Sequence, residues 1–284
     1  MSEQVNQNLT LAQIANEFNQ EEALAYALQY IQGTIGAESI TRTDRIKAAI
    51  VGERKSGKSW LVAKTCRKPC LVDDFDDRKE SIAGTPGVII KQYLDTDPNI
   101  PRAWGTLESD VGTLEYLKKE NKLPFKSICL DSMTYLRLIA ENQMMQDTNM
   151  YRKYKIGTYE YRISQGWDSV VDVQKMLHGL LLRLFALDID VYTIWHTRPE
   201  KDKAKSTSKE AVYTDRLTVD PQNLEVLLSM FNETWRCYID ENNNFKLQTR
   251  ADWRFNAATA LKIDPVEDPS IENLLIKHEA NMKK

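Results

Sequence analysis

Eight consecutive residues constrain the fold of this chain more than any other feature. They run from Gly52 to Ser59 as Gly-Glu-Arg-Lys-Ser-Gly-Lys-Ser and match G-x-x-x-x-G-K-[ST] without a mismatch. Glycines at this spacing let backbone N–H groups turn inward around an anion, the lysine can reach phosphate oxygens, and the last hydroxyl can ligate Mg²⁺. The pattern predicts a phosphate-binding loop.

The flanking residues support this prediction. Residues 46–51 are mostly apolar and are expected to form a buried strand, although two alanines favour helix, and residues 60–64 continue with helical character. The N-terminus of that helix would point at the phosphates, where its dipole favours negative charge. We therefore expect nine consecutive residues to bind a nucleoside triphosphate. They are Gly52, Glu53, Arg54, Lys55, Ser56, Gly57, Lys58, Ser59 and Trp60.

An acidic segment follows the second predicted strand, residues 69–73. That strand runs directly into Asp74-Phe75-Asp76-Asp77, so four of the five positions 73–77 are acidic. Ligands of α/β proteins bind at the carboxyl ends of strands, which makes this segment a candidate site. A solvated acidic turn is the alternative.

Two later strands also end in polar residues. Asp131 closes the apolar strand Phe125-Lys126-Ser127-Ile128-Cys129-Leu130, the Walker B pattern, and would hold the water shell of the Mg²⁺ that Ser59 contacts. A helix-capping role is the alternative for Asp131. His196 closes the strand at residues 190–195, beside the expected γ-phosphate position. A polar sensor and a structural histidine are both open interpretations there.

Aromatic residues alternate with cations between Met150 and Trp167. Rings stack on bases and cations neutralise phosphates, which is what a single-stranded nucleic acid requires of its binding surface. The alternative is an ordinary surface loop whose tyrosines pack on the domain. Residues 198–218 form a second basic segment, expected to be a mobile loop, although solvation alone could explain its lysines. The candidate residues are Tyr151, Arg152, Lys153, Tyr154, Lys155, Arg162, Lys201, Lys203 and Lys205.

Length and composition bound the remaining possibilities. A chain of 284 residues with 42% hydrophobic content favours one elaborated α/β domain. We expect a helical N-terminal extension at residues 1–40, a core at 41–256 and a tail with a helix at 257–284. The net charge of −3 means that any nucleic-acid affinity must come from local patches. Neither a signal peptide nor an uninterrupted membrane span is evident, so a cytoplasmic protein without membrane contact is expected.

Together, these motifs resemble those of RecA-type P-loop ATPases, and most of all the phage AAA_24 group of nucleotide-binding proteins. That group includes the Sak4-like, RecA/Rad51-related single-strand annealing proteins. The resemblance covers roughly residues 45–255 and implies an α/β fold with a mainly parallel central sheet and flanking helices. Two β-rich segments at 234–239 and 244–250 add a C-terminal β-hairpin. Four stretches carry the resemblance: Gly52 to Ser59, Asp74-Phe75-Asp76, Ile128 to Ser132, and Ile194-Trp195-His196.

The resemblance also implies roles for matching positions. RecA-like ATPases activate the attacking water with a carboxylate just past the second strand, which corresponds to Asp76, with Asp74 as the fallback. His196 stands where these proteins carry a glutamine that senses the γ-phosphate, and Lys58 would neutralise phosphate charge. Residues 150–166 and 198–218 fall where the fold has its two DNA-binding loops.

The function so implied is ATP-dependent and Mg²⁺-dependent DNA recombination or annealing on single-stranded DNA, in the cytoplasm of an infected bacterial host. A homo-oligomer, ring or filament, is expected, with a single-strand-binding protein as a further candidate partner. Arg250 and Arg254, past the hairpin, are candidates for a cation supplied to a neighbouring subunit's site. Two alternatives remain open. One is a nucleotide or small-molecule kinase, which would need a lid rich in arginine, whereas residues 198–218 carry mostly lysines. The other is a nucleotide-gated assembly factor that binds protein partners.

Overall fold

The computed structural model describes residues 45–149, 151–156, 159–164, 167–201, 213–217 and 226–283. The chain divides after Asp44 into two units, and every described residue belongs to the second. The helical extension expected at residues 1–40 therefore lies outside the described residues.

Strands and helices alternate through most of the described chain. The strands are β1 (Lys47–Gly52), β2 (Cys70–Asp74), β3 (Val88–Gln92), β4 (Ser127–Asp131), β5 (Tyr151–Ile156), β6 (Tyr159–Ser164), β7 (Asp190–Lys201), β8 (Tyr213–Leu217), β9 (Glu233–Ile239), β10 (Phe245–Gln248) and β11 (Val266–Glu267). The helices are α1 (Lys58–Thr65), α2 (Ala103–Lys119), α3 (Met133–Thr148), α4 (Trp167–Phe185) and α5 (Ile271–Met282), with a 3₁₀ turn at Lys79–Ile82.

The central sheet has nine strands, in the order β11-β10-β9-β1-β7-β4-β2-β3, with β8 paired to the far end of β7. Strands β9, β1, β7, β4, β2 and β3 run parallel, whereas β10 and β11 add antiparallel pairs at one edge. The predicted α/β class with a mainly parallel sheet and a C-terminal β-hairpin, here β9 and β10, is confirmed.

Helices cover both faces of this sheet, which explains the composition of β1. Ala49 and Val51 belong to one apolar cluster, while Ala48 and Ile50 belong to the other, and all four are fully buried. A strand buried on both faces is apolar without alternation. Packing therefore outweighs the helix preference of the two alanines.

The strand register brings the polar strand ends to one edge of the sheet. Gly52 at the end of β1 pairs with His196 of β7, and Asp74 at the end of β2 pairs with Asp131 of β4. Strand β7 lies between β1 and β4. Because parallel strands end at the same edge, segments far apart in the sequence converge there.

Two segments expected as loops contain regular structure, so those expectations were wrong. Residues 151–164 include the antiparallel pair β5–β6, in which Tyr154 lies opposite Tyr161. In the second segment, Arg198 to Lys201 continue β7, which pairs there with β8. Lys203 and Lys205 lie outside the described residues.

Within the described part of the chain, no helix is both long enough and apolar enough to cross a membrane.

Candidate nucleotide-binding site

An open cleft of about 610 Å³ lies over the loop between β1 and α1. Its walls come from three places: the loop with the first turn of α1, the segment after β2, and the ends of β4 and β7. The lining residues are Arg54, Lys55, Ser56, Gly57, Lys58, Ser59, Trp60, Asp76, Arg78, Glu80, Ser81, Asp131 and His196.

The two motif glycines are required by close packing under the loop. Gly57 has a φ of 86°, in the left-handed region, and a Cβ there would lie 3.0 Å from the Phe245 ring. A Cβ at Gly52 would lie 2.3 Å from the carbonyl oxygen of Cys237. The loop therefore rests directly on the β9–β10 hairpin, and side chains at these two positions would displace it.

Lys58 is buried at the base of the loop. Its ammonium group donates hydrogen bonds to the carbonyl oxygens of Gly52, at 2.9 Å, and Glu53, at 2.6 Å. Burial lowers the pKa of Lys58 to about 8. The cation is thus held inside the loop, where phosphate oxygens of a nucleotide would be bound.

The Ser59 hydroxyl lies against the end of β4. It donates a hydrogen bond to Oδ2 of Asp131 over 2.5 Å. Burial raises the pKa of Asp131 to about 6, and the hydrogen bond from Ser59 opposes that shift. A hydroxyl oxygen and a carboxylate oxygen side by side suit a hard cation such as Mg²⁺, so these two residues fit the metal that the motifs imply.

The acidic segment after β2 separates into residues with different surroundings. Oδ1 of Asp74 accepts hydrogen bonds from the backbone N–H groups of Asp76 and Arg78, each at 3.3 Å, and Gln92 donates to its Oδ2 at 3.1 Å. Asp74 is buried and is not among the cleft-lining residues of the described chain. It organises the turn that carries Asp76.

Phe75 anchors this turn to the core. Its backbone N–H donates to the carbonyl oxygen of Asp131 at 2.8 Å, and its buried ring stacks on Tyr93 with centroids 5.5 Å apart. The residues on either side of Phe75 therefore occupy defined positions relative to β4.

Asp76 enters the cleft with its carboxylate almost fully covered. The side chain is 2% exposed, and neither oxygen has a hydrogen-bond partner among the described residues. Two basic side chains lie near its Oδ2: Nε of Arg78 at 3.5 Å and Nε2 of His196 at 3.9 Å. The structure therefore brings together Lys58, Asp76 and His196 from three separate parts of the sequence.

Sequence reasoning missed Arg78 as a cleft residue. The available signal was its place: it is the first cation after the acidic run, at the carboxyl end of a parallel strand, where ligands bind. Phe245, which supports Gly57 from a strand more than 180 residues further along the chain, carries no local signal at all.

The β5–β6 hairpin, residues 151–164, places its two described tyrosines differently. Tyr151 packs against the main apolar cluster, and the guanidinium of Arg162 lies 4.4 Å from its ring centroid. Tyr154 is 45% exposed, and the cations of this strand are exposed beside it. Those cations are Arg152, Lys153 and Lys155; Lys201, at the end of β7, is also exposed.

The two arginines past the β9–β10 hairpin have contacts within the chain. Arg254 forms ion pairs with Asp215, at 3.2 Å, and with Glu53 of the phosphate loop, at 3.7 Å. Arg250 is exposed and donates to the carbonyl oxygen of Ile263 at 3.3 Å. Arg254 therefore lies beside the phosphate loop of the same chain.

Comparison with known proteins agrees with this geometry. Residues 44–260, well over half of the chain, match the family described as AAA domain, AAA_24. A comparison with curated proteins found no match. The family match and the loop, strand and cleft described above lead to one conclusion: the chain belongs to the AAA domain family of P-loop ATPases.

Proposed function

We propose that this protein is a RecA-like ATPase that binds single-stranded DNA and acts in DNA recombination or single-strand annealing. The observation that carries the proposal is the convergence in one cleft of Lys58, the Ser59–Asp131 pair and the covered carboxylate of Asp76. Phosphate binding, metal binding and activation of water are the parts that ATP hydrolysis requires.

Nucleotide binding is assigned to the loop and the first turn of α1. Lys58 would contact the β- and γ-phosphates while backbone N–H groups of the loop surround the phosphate chain. Ser59 and Asp131 would hold Mg²⁺, which when bound supplies positive charge beside the phosphates. Trp60, 46% exposed on the cleft wall, offers a ring on which the nucleobase can stack.

Asp76 is assigned the general base, with Asp74 in a supporting role. Both oxygens of Asp76 lack hydrogen-bond donors within the described chain, so their lone pairs are available to orient a water and accept its proton during attack on the γ-phosphorus. Asp74 instead accepts hydrogen bonds from the backbone of the turn through Oδ1 and from Gln92 through Oδ2. His196, which lies beside Asp76 and next to the end of β1, would sense the γ-phosphate.

DNA binding is assigned to the exposed strand of the β5–β6 hairpin and to the basic end of β7. Tyr154 would stack on a base, while Arg152, Lys153 and Lys155 would neutralise phosphates. Tyr151 has a different part in this proposal, because it packs against the core and Arg162 covers its ring. In this proposal, Tyr151 anchors the β5–β6 hairpin to the core. Lys201, Lys203 and Lys205 belong to the second DNA-binding segment.

We further propose a ring or filament of identical subunits on DNA, in the cytoplasm of an infected bacterial host, with a single-strand-binding protein as a partner. Arg250 is the better candidate for a cation acting on a neighbour's nucleotide, since Arg254 is already paired with Asp215 and Glu53.

ATP hydrolysis measured with and without single-stranded DNA tests the activity. We expect stimulation by DNA, and loss of turnover in Lys58→Ala but not in Lys64→Ala, an exposed lysine on the same helix. Unchanged turnover in a folded Lys58→Ala protein would contradict the ATPase assignment. Phosphorylation of an added acceptor would favour a kinase, and indifference to DNA would favour an assembly factor.

A gel-shift titration with single-stranded DNA tests the hairpin. Base stacking on an aromatic ring contributes ~1–3 kcal/mol, so Tyr154→Ala should weaken binding about fivefold or more. Tyr116→Ala is the control, because Tyr116 is also exposed but lies on α2. ATP hydrolysis without DNA should be the same in both variants. Equal DNA affinity in the two variants would refute a stacking role for Tyr154.

A further inference from the structure

Arg78 is a cation on the cleft wall to which the motifs assign no role. Its backbone N–H donates to Asp74, while its side chain is 45% exposed and lines the cleft. Among the described residues, its guanidinium makes an ion pair with Asp76 and no hydrogen bond. Most of its five N–H donors are therefore available to a ligand.

The ion pair between Arg78 and Asp76 is loose. The distance of 3.5 Å from Nε to Oδ2 leaves both carboxylate oxygens without a hydrogen bond, although the carboxylate is 2% exposed. A buried carboxylate requires a nearby positive charge, which Arg78 supplies. The two groups do not form the short, bidentate hydrogen bonds of a strong arginine–carboxylate pair.

The same guanidinium lines the cleft together with Lys58. Burial is the largest cause of the lowered pKa of Lys58, and the positive charge of Arg78 adds to it. Arg78 therefore lines the same cleft as Asp76, its ion-pair partner, and Lys58, which would bind phosphate. Arg54 and Lys55, the other cations of the cleft, are exposed on the phosphate loop itself.

We propose that Arg78 is a phosphate-binding cation that the chain supplies to its own nucleotide site, and that its ion pair with Asp76 is exchanged for contact with the γ-phosphate when ATP binds. This inference rests on the proposed function, because it concerns the same site. The exchange would couple arrival of the γ-phosphate to release of the residue assigned as general base. Arginine suits this role because its planar, always charged group binds phosphate oxygens in pairs.

Binding of a non-hydrolysable ATP analogue and of ADP, each measured calorimetrically with Mg²⁺, tests the proposal. A hydrogen bond between charged groups predicts that Arg78→Ala weakens binding of the analogue about tenfold or more and that of ADP less than about twofold. Lys79→Ala is the matched control, since Lys79 pairs with Asp77 and Gln92 and does not line the cleft. Equal losses for both nucleotides, or no loss for either, would overturn the proposal.

A second background separates phosphate contact from a structural role. If Arg78 served only to neutralise Asp76, Arg78→Ala would have no effect on analogue binding once Asp76→Asn has removed the carboxylate charge. Phosphate contact predicts instead that the loss persists in the double variant. Arg78→Lys, which keeps the charge but not the paired geometry, should recover part of the affinity. Should Arg78→Ala alone fail to fold, the double variant and Arg78→Lys still decide the question.

These measurements also distinguish this proposal from the proposed function. Suppose that the parent hydrolyses no ATP, yet Arg78→Ala selectively weakens binding of the analogue. This result would support the role of Arg78 and overturn the ATPase assignment. Normal ATP turnover in the parent, with unchanged analogue binding in Arg78→Ala, would overturn the role of Arg78 and leave the ATPase assignment standing.

Discussion

Replacement of Asp73 by asparagine should stabilise the protein, by an amount that grows as the pH rises. Asp73 precedes Asp74, which organises the turn after β2, yet Asp73 is 1% exposed and its Oδ1 has no hydrogen-bond partner among the described residues. Burial raises the pKa of Asp73 to about 8, and the negative charge of Asp110 adds to the shift. The carboxyl group is therefore protonated in the folded protein at neutral pH.

The magnitude follows from proton linkage. The ordinary pKa of this group is 3.8, so between that value and about 8 the folded protein holds a proton that the unfolded chain has released. Over this window the free energy of unfolding falls with rising pH by ~1.4 kcal/mol per unit, and the loss is complete once the pH passes the folded pKa. Asparagine binds no proton and removes this dependence. The side-chain amide of asparagine carries two N–H groups. If the second has no acceptor, the free energy of unfolding falls by ~1–3 kcal/mol, and this loss is independent of pH.

Denaturant unfolding of parent and variant at about pH 5.5 and about pH 7.5 measures the effect. The advantage of Asp73→Asn should increase by up to ~2.7 kcal/mol between these two values, or roughly 5–10 °C in Tm. Asp77→Asn is the control: hydrogen bonds from Gln92 and Lys79 hold the pKa of exposed Asp77 below 3.8, so its contribution is lost only in more acidic solution. A gain from Asp73→Asn that is the same at both pH values would refute the assignment of Asp73 as a buried, neutral acid.

Three further changes test the site and the hairpin. Gly57→Ala should abolish binding of an ATP analogue, measured calorimetrically, because its Cβ would meet the Phe245 ring in a backbone conformation that favours glycine; unchanged affinity would contradict the close packing of the loop. Asp131→Asn should reduce Mg²⁺-dependent ATP hydrolysis about a hundredfold or more, whereas retained turnover would remove Asp131 from the metal site. Tyr151→Ala should lower the free energy of unfolding by ~1–3 kcal/mol, with Tyr154→Ala near the parent in the same denaturation assay; the reverse order would overturn their assignment to core and surface.

The elements nearest the phosphate loop could be predicted from the sequence because they are contiguous. The strand, the loop and the helix occupy residues 47–65 without interruption. The apolar residues of this stretch indicate the strand and the helix, and its glycines and Lys-Ser pair indicate the loop. The α/β class follows from the same local patterns repeated along the chain, and the structure confirms it. The roles assigned to the individual site residues are predictions that await the experiments above.

The acidic segment shows where local reasoning stops. Its carboxylates look equivalent in sequence, yet Asp73 is buried beneath the surface, Asp74 accepts hydrogen bonds from the turn, Asp76 enters the cleft and Asp77 is exposed. Successive residues of a strand point to opposite faces, so the fate of each depends on the residue at which the strand ends and on what covers each face. Neither is a property of five consecutive residues.

What the sequence determined by itself was the chemistry available: a phosphate loop, carboxylates and a histidine at strand ends, and a stretch rich in tyrosine and cations. What only the tertiary structure decided was which of these groups meet. Strand β7 lies between β1 and β4 and brings His196 beside Asp76. The β9–β10 hairpin places Phe245 against Gly57, and the segment after β2 brings Arg78 into the cleft. The physical reason is that strand order and register depend on burying both faces of the sheet, a condition on the whole chain that no single motif contains.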